Sequence, residues 1–113
     1  MKSTWPVLFG LLLLAAPATA QAQFSYTTNA DGVSLTITGY TGPPWAVTIP
    51  ATINGLTVAG IGDDAFFDSG VTNVTIPDGV TSIGDLAFYG CGSLAGVTIP
   101  ESVTNIGPFA FYG

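Results

Sequence analysis

The stretch Val97–Phe111, VTIPESVTNIGPFAF, is the third statement of one phrase. Val74–Phe88, VTIPDGVTSIGDLAF, is the second. The first copy is split: VTIP stands at Val47–Pro50, and its Ile-Gly and Ala-Phe pairs follow at Ile61-Gly62 and Ala65-Phe66. Ile76 and Ile99 lie 23 residues apart, and the last two Ile-Gly and Ala-Phe pairs keep that spacing. A fixed period in this range signals a solenoid, in which each unit buries its apolar face against its neighbours. Such arrays present extended surfaces, so the period bears on the class of function as well as on the fold.

The unit reads as follows. Val97-Thr98-Ile99 is a short strand with Val97 and Ile99 turned inward and Thr98 outward. Pro100 ends the ladder because it has no amide to donate. Val103 and Ile106 form a second apolar pair, and Gly107 permits a sharp corner. Ala110-Phe111 is expected to begin a helical turn, with the ring filling the space between coils. Asp63 and Asp85, each directly after an Ile-Gly pair, read as N-caps of those turns.

Upstream, Gln23–Tyr40 predicts a β-hairpin. Its turn is Asn29–Gly32, and Val33, Leu35 and Ile37 share one face. Gly42-Pro43-Pro44 is a loop, and Trp45–Ile49 is a further strand. Asn54-Gly55 is a strong hairpin signal between Ala51–Ile53 and Leu56–Ala59. Pro50 to Ile61 spans eleven positions against six in both later units, so residues 23–60 are expected to be a β-rich cap covering the open end. Residues 61–113 hold the repeats of about 23 residues, the last one incomplete, which suggests a piece of a longer array.

Residues 1–22 have the form of a secretory signal. Lys2 supplies the positive charge, Val7–Ala16 is apolar but for Gly10, and two small-x-small patterns follow at Ala18-Thr19-Ala20 and Ala20-Gln21-Ala22. The apolar run is too short to span a bilayer, so secretion or display at the cell surface is expected, without membrane insertion after cleavage. Lys2 is also the only basic residue of the 113. Without it, the 91 residues from Gln23 onward carry seven carboxylates and no Lys, Arg or His. Such a chain cannot neutralise phosphates, which excludes nucleic acid as a partner. It also lacks the usual general bases, Schiff-base amines and oxyanion clamps, so the reading is that it is not an enzyme.

The pattern Leu94, Val97-Thr98-Ile99-Pro100, Val103, Ile106-Gly107, Ala110-Phe111, echoed by Val74, Ile76, Pro77, Val80, Ile83, Gly84, Ala87, Phe88 and Cys91, resembles the BspA-like leucine-rich repeat family. The resemblance runs from about Trp45 to Gly113. It implies an α/β solenoid, mainly β: a leucine-rich repeat right-handed superhelix with strands stacked into a parallel sheet on one face, here behind an N-terminal β-hairpin cap. It also implies an exported protein that binds other proteins or adheres to surfaces, its ligand a protein or a surface glycan. The other reading is a passive repeat spacer that displays a further C-terminal domain.

Thr48, Thr75 and Thr98 should form a row on the outer strand face, flanked by the variable Asn73 and Gly96. These five are the candidate binding face. Asn73-Val74-Thr75 fits the N-glycosylation pattern, but its place inside a strand argues against modification. Asp63, Asp64 and Asp68 could gather calcium, or act as paired glycosidase carboxylates, but no calcium-loop pattern accompanies them, and no metal or cofactor is expected. The lone Cys91 reads as a small buried residue. Trp45, Tyr40 and the Gly42–Pro44 loop form an aromatic patch near the cap, where a carbohydrate or peptide could stack, although covering the first coil is the simpler role for Trp45. The open C-terminal coil should promote self-association.

Overall fold

The computed structural model describes residues 23–113, so the signal-like segment and its cleavage patterns lie outside the described residues. Nine short strands follow one another: β1 (Phe24–Thr28), β2 (Ser34–Tyr40), β3 (Ala46–Thr48), β4 (Thr52–Ile53), β5 (Leu56–Ile61), β6 (Asn73–Thr75), β7 (Ser82–Ile83), β8 (Gly96–Thr98) and β9 (Asn105–Ile106). They form two ladders. One runs β1-β2-β5-β7-β9, with β4 paired to β5, and the other runs β3-β6-β8. Along each coil stack the pairing is parallel, as in β5 with β7 and β6 with β8. Antiparallel pairing is confined to the cap, in β1 with β2 and β4 with β5.

Two corrections follow. The fold is a purely β solenoid, not an α/β one, since no helix occurs among the described residues. The parallel pairing also occupies two faces of each coil rather than one, because the Ile-Gly position is itself a strand.

The Ala-Phe segment explains the missing helix. The amides of Asp64, Phe66 and Asp68 donate to the carbonyls of Asp85, Ala87 and Tyr89 in the next coil. Those of Ala65, Phe67 and Ser69 turn back to Gly62, Asp64 and Phe66, three residues earlier. Successive N–H groups thus point alternately along and within the coil. A helix would turn every one of them inward, to the residue four before. Asp64, Leu86 and Phe109 sit at equivalent turn positions with φ of 59°, 58° and 58°, a left-handed backbone that no right-handed helix contains.

The core is a column of rings flanked by aliphatics. Phe24, Tyr40, Phe66, Phe88 and Phe111 follow one another at centroid separations of 5.1, 5.4, 4.8 and 5.1 Å. Leu35, Ile37, Ile49, Ile61, Val74, Ile76, Val80 and Ile83 are buried around it. The hairpin supplies the first two rings and so closes that end of the column. Val33 departs from its expected face: it is 66% exposed, because β2 begins only at Ser34. Ser34 takes the buried place instead, its hydroxyl donating to the Asp31 carboxylate at 2.8 Å and accepting from the Asn29 amide at 2.9 Å. Asn54 and Gly55 both have positive φ, as a two-residue hairpin turn requires.

Gly84 and Gly107 serve close approach between coils. A Cβ on Gly84 would meet the Asp63 carboxylate and lie 2.6 Å from the Asp63 nitrogen, and one on Gly107 would repeat this at Asp85. Asp63 accordingly does not cap its own turn. Its Oδ1 accepts the Asp85 amide of the following coil at 2.8 Å.

Candidate functional site

The second ladder, β3-β6-β8, carries the candidate face. Parallel pairing without a register shift places Ala46, Asn73 and Gly96 side by side, then Val47, Val74 and Val97, then Thr48, Thr75 and Thr98. The valines point inward, and the six flanking residues are all exposed. All five candidate residues therefore lie on one surface, with adjacent threonines about 4.8 Å apart, the inter-strand spacing. The strands are only three residues long because Pro50, Pro77 and Pro100 follow two positions after they end. A Cβ on Gly96 would come within 3.4 Å of Asn73 Oδ1, so the Asn73 side chain borders the open ground over Gly96.

The other candidates disperse. Asp63 is engaged by the Asp85 amide, while Asp64 and Asp68 are exposed on turns. No group of three His, Cys, Asp or Glu side chains is arranged to hold a metal among the described residues. Cys91 is buried and its thiol donates to the Phe66 carbonyl at 3.0 Å. Burial pushes that thiol above its ordinary pKa, which is the opposite of an activated nucleophile. Tyr40 joins the internal ring column and its hydroxyl donates to the Pro43 carbonyl at 2.9 Å, whereas Trp45 is 62% exposed.

One feature of the surface escaped the sequence reading. Phe67, Tyr89 and Tyr112 stack on the outside at 5.2 and 5.5 Å, parallel to the internal column. With Leu86 and Phe109 they line a groove of about 480 Å³. The signal was present in the sequence: the Phe of each Ala-Phe pair is followed by a second aromatic, as Phe66-Phe67, Phe88-Tyr89 and Phe111-Tyr112.

Coils of one recurring phrase, closed by a β cap and joined by parallel ladders, define a β-solenoid repeat protein. The signature of a BspA type leucine-rich repeat region, in six copies, matches residues 47–113. The chain belongs to the BspA-type leucine-rich repeat family. A leucine-rich repeat protein of Treponema pallidum is 33% identical with a TM-score of 0.78, covering 87% of this chain and 45% of its own. One from Bacteroides capillosus is 37% identical with a TM-score of 0.72, over 79% of this chain and 70% of its own. A leucine-rich cell surface protein of Faecalibacterium prausnitzii is 41% identical with a TM-score of 0.69, over 79% of this chain and 26% of its own. The chain thus spans less than half the length of the Treponema protein. No match was found among curated proteins. The fold is a non-catalytic solenoid of the kind used for binding.

Proposed function

We propose that this chain is an exported, surface-acting binding module whose ligand, a protein or a surface glycan, contacts the β3-β6-β8 face. The observation that carries the reading is the unbroken register of Thr48, Thr75 and Thr98 beside Ala46, Asn73 and Gly96. It makes an exposed surface of short side chains, hydroxyls and one amide, with the valines behind it holding the strands in place. Hydroxyls and amides both donate and accept, which suits neutral polar ligands. The signal-like residues 1–22 support export, and the likeness to a cell surface protein of Faecalibacterium prausnitzii supports a surface role.

The test is an adhesion or pull-down assay with Thr75→Trp and Thr98→Trp introduced together, folding being checked by thermal melting. Adhesion should be lost while the melt is kept, and it should change little with salt, since the face carries no charge. Full adhesion by a folded double variant would remove the strand face as the site and favour the spacer reading.

A further inference from the structure

The outer aromatic groove lies on a different part of the coil, and its composition varies along its length. Coil stacking aligns Asp64 with Leu86 and Phe109, and Phe67 with Tyr89 and Tyr112. The two columns are the walls of the groove. In the later coils both walls are apolar, whereas the position equivalent to Leu86 and Phe109 in the first repeat coil is held by Asp64. Beside Phe67 in that coil stands a second carboxylate, Asp68, over Gly90. The lining of the groove is therefore aromatic and aliphatic, and the coil at its cap-side end carries the exposed carboxylates of Asp64 and Asp68. Phe67, Phe109 and Tyr112 are 46, 62 and 59% exposed, so it is open to a partner.

Stacking of the rings decides what kind of partner fits. Phe67 and Tyr89 are nearly parallel, 11° apart, and cover one another's faces. Their facing sides are thus taken up by one another, which leaves little open ring face for a flat sugar. The shape suits a side chain with an apolar stem and a cationic head, the stem along Leu86 and Tyr89 and the head toward the cap-side coil that carries Asp64 and Asp68. Charge agrees: residues 23–113 hold seven carboxylates and no cation, so a basic segment is attracted at long range and meets no repulsion on contact. Leu86 and Phe109 hold this wall from left-handed backbone that disfavours such side chains, a cost found where the surrounding structure enforces it and often at functional surfaces.

We propose that the groove lined by Phe67, Leu86, Tyr89, Phe109 and Tyr112 docks an arginine- or lysine-bearing segment of a partner protein, with Asp64 and Asp68 receiving the cationic head. The surface is separate from the strand face and differs from it in being salt-sensitive.

The probe is a nine-residue peptide of alternating arginine and glycine with blocked ends, set against its citrulline counterpart, which has a similar shape without the charge. Both are titrated into the full chain by calorimetry and by amide chemical-shift mapping. The arginine peptide should shift the amides of Asp64, Phe67, Asp68 and Tyr89, and should weaken steeply as salt is raised. The citrulline peptide should bind at least about tenfold less tightly. Asp64→Asn with Asp68→Asn should lose about tenfold, and Asn tolerates the positive φ of both positions, so the turn survives. Asp78→Asn with Glu101→Gln, which removes two carboxylates elsewhere, should change binding less than about twofold. Phe67→Ala should weaken it, and the Thr75→Trp, Thr98→Trp variant should not. Equal losses from the two charge-removing pairs, equal binding of the citrulline peptide, an unchanged Phe67→Ala, or no binding at millimolar peptide would each overturn the proposal.

Discussion

At the residue scale the weight falls on the phenylalanines. Phe88 is buried, with Phe66 on one face at 4.8 Å and Phe111 on the other at 5.1 Å, so its removal opens a gap that neither neighbour can fill without leaving its own coil. Phe88→Ala should cost about 3–5 kcal/mol. In a domain of this size that is a large part of the total stability, and a denaturant midpoint that barely moves would contradict the column. Phe88 and its partners were legible in the sequence because core rings recur with the period. Trp45 was not legible in the same way. An isolated Trp before a strand carries no period, and its exposed position depends on the course of the preceding loop.

At the scale of the element, each short strand is held by its neighbours in adjacent coils. Gly84 tests that directly. Its would-be Cβ lies 2.6 Å from the Asp63 nitrogen and 2.8 Å from the Gly62 carbonyl carbon, and backbone cannot step aside as a side-chain tip can. Gly84→Ala should destabilise by about 1–3 kcal/mol, as overpacking does. Gly39→Ala is the matched control, since its Cβ would meet only Ser25 at ordinary contact of 3.6 Å, and its melting temperature should hold or rise. Equal losses at the two sites would mean that the coils are not packed this closely.

The hairpin at the other end depends on Asp31. The Val33 amide, then the Ser34 hydroxyl, hold its carboxyl below the ordinary pKa. Its contribution is present above the unfolded value of about 3.9 and is lost as pH falls through the lower folded value. An NMR titration should place the Asp31 midpoint below 3.9, and Ser34→Ala should raise it. A midpoint unmoved by that substitution would detach Ser34 from the network.

The helical turn expected at Ala-Phe shows where reading by element failed. Ala, Leu and Phe near an Asp resemble a capped helix start when only local preference is considered. The competing claim came from the next coil, whose carbonyls take every second amide, and local preference does not register a partner 21 residues away, the distance from Asp64 to Asp85. The outer aromatic column was missed for a related reason. Its members repeat as regularly as the core, but a second aromatic beside a core ring reads as redundancy until stacking shows that it faces out.

At the scale of the whole molecule, the two ends differ. The cap supplies the Phe24 and Tyr40 rings to the first coil, whereas Ile99, Ile106 and Phe111 of the last coil are exposed, though their counterparts Ile76, Ile83 and Phe88 one coil earlier are buried. The outer edges of β8 and β9 carry no paired strand among the described residues. An apolar face with open strand edges invites a second copy. Sedimentation of the 113-residue chain should show mass rising with concentration, and Ile99→Lys with Ile106→Lys should restore the monomer. A wild-type monomer at millimolar concentration would contradict this.

The central claim is that the coils are joined amide to carbonyl along the stack, with no helix at Ala-Phe. Scalar couplings through hydrogen bonds, measured by NMR on labelled protein, report donor and acceptor pairs directly. The account predicts couplings from the Phe66 nitrogen to the Ala87 carbonyl carbon and from Phe88 to Ala110, where the structure places the donor and acceptor 2.7 Å apart. Couplings from Phe66 to Gly62 and from Phe88 to Gly84, four residues back along the same coil, would be those of a helix and would contradict it.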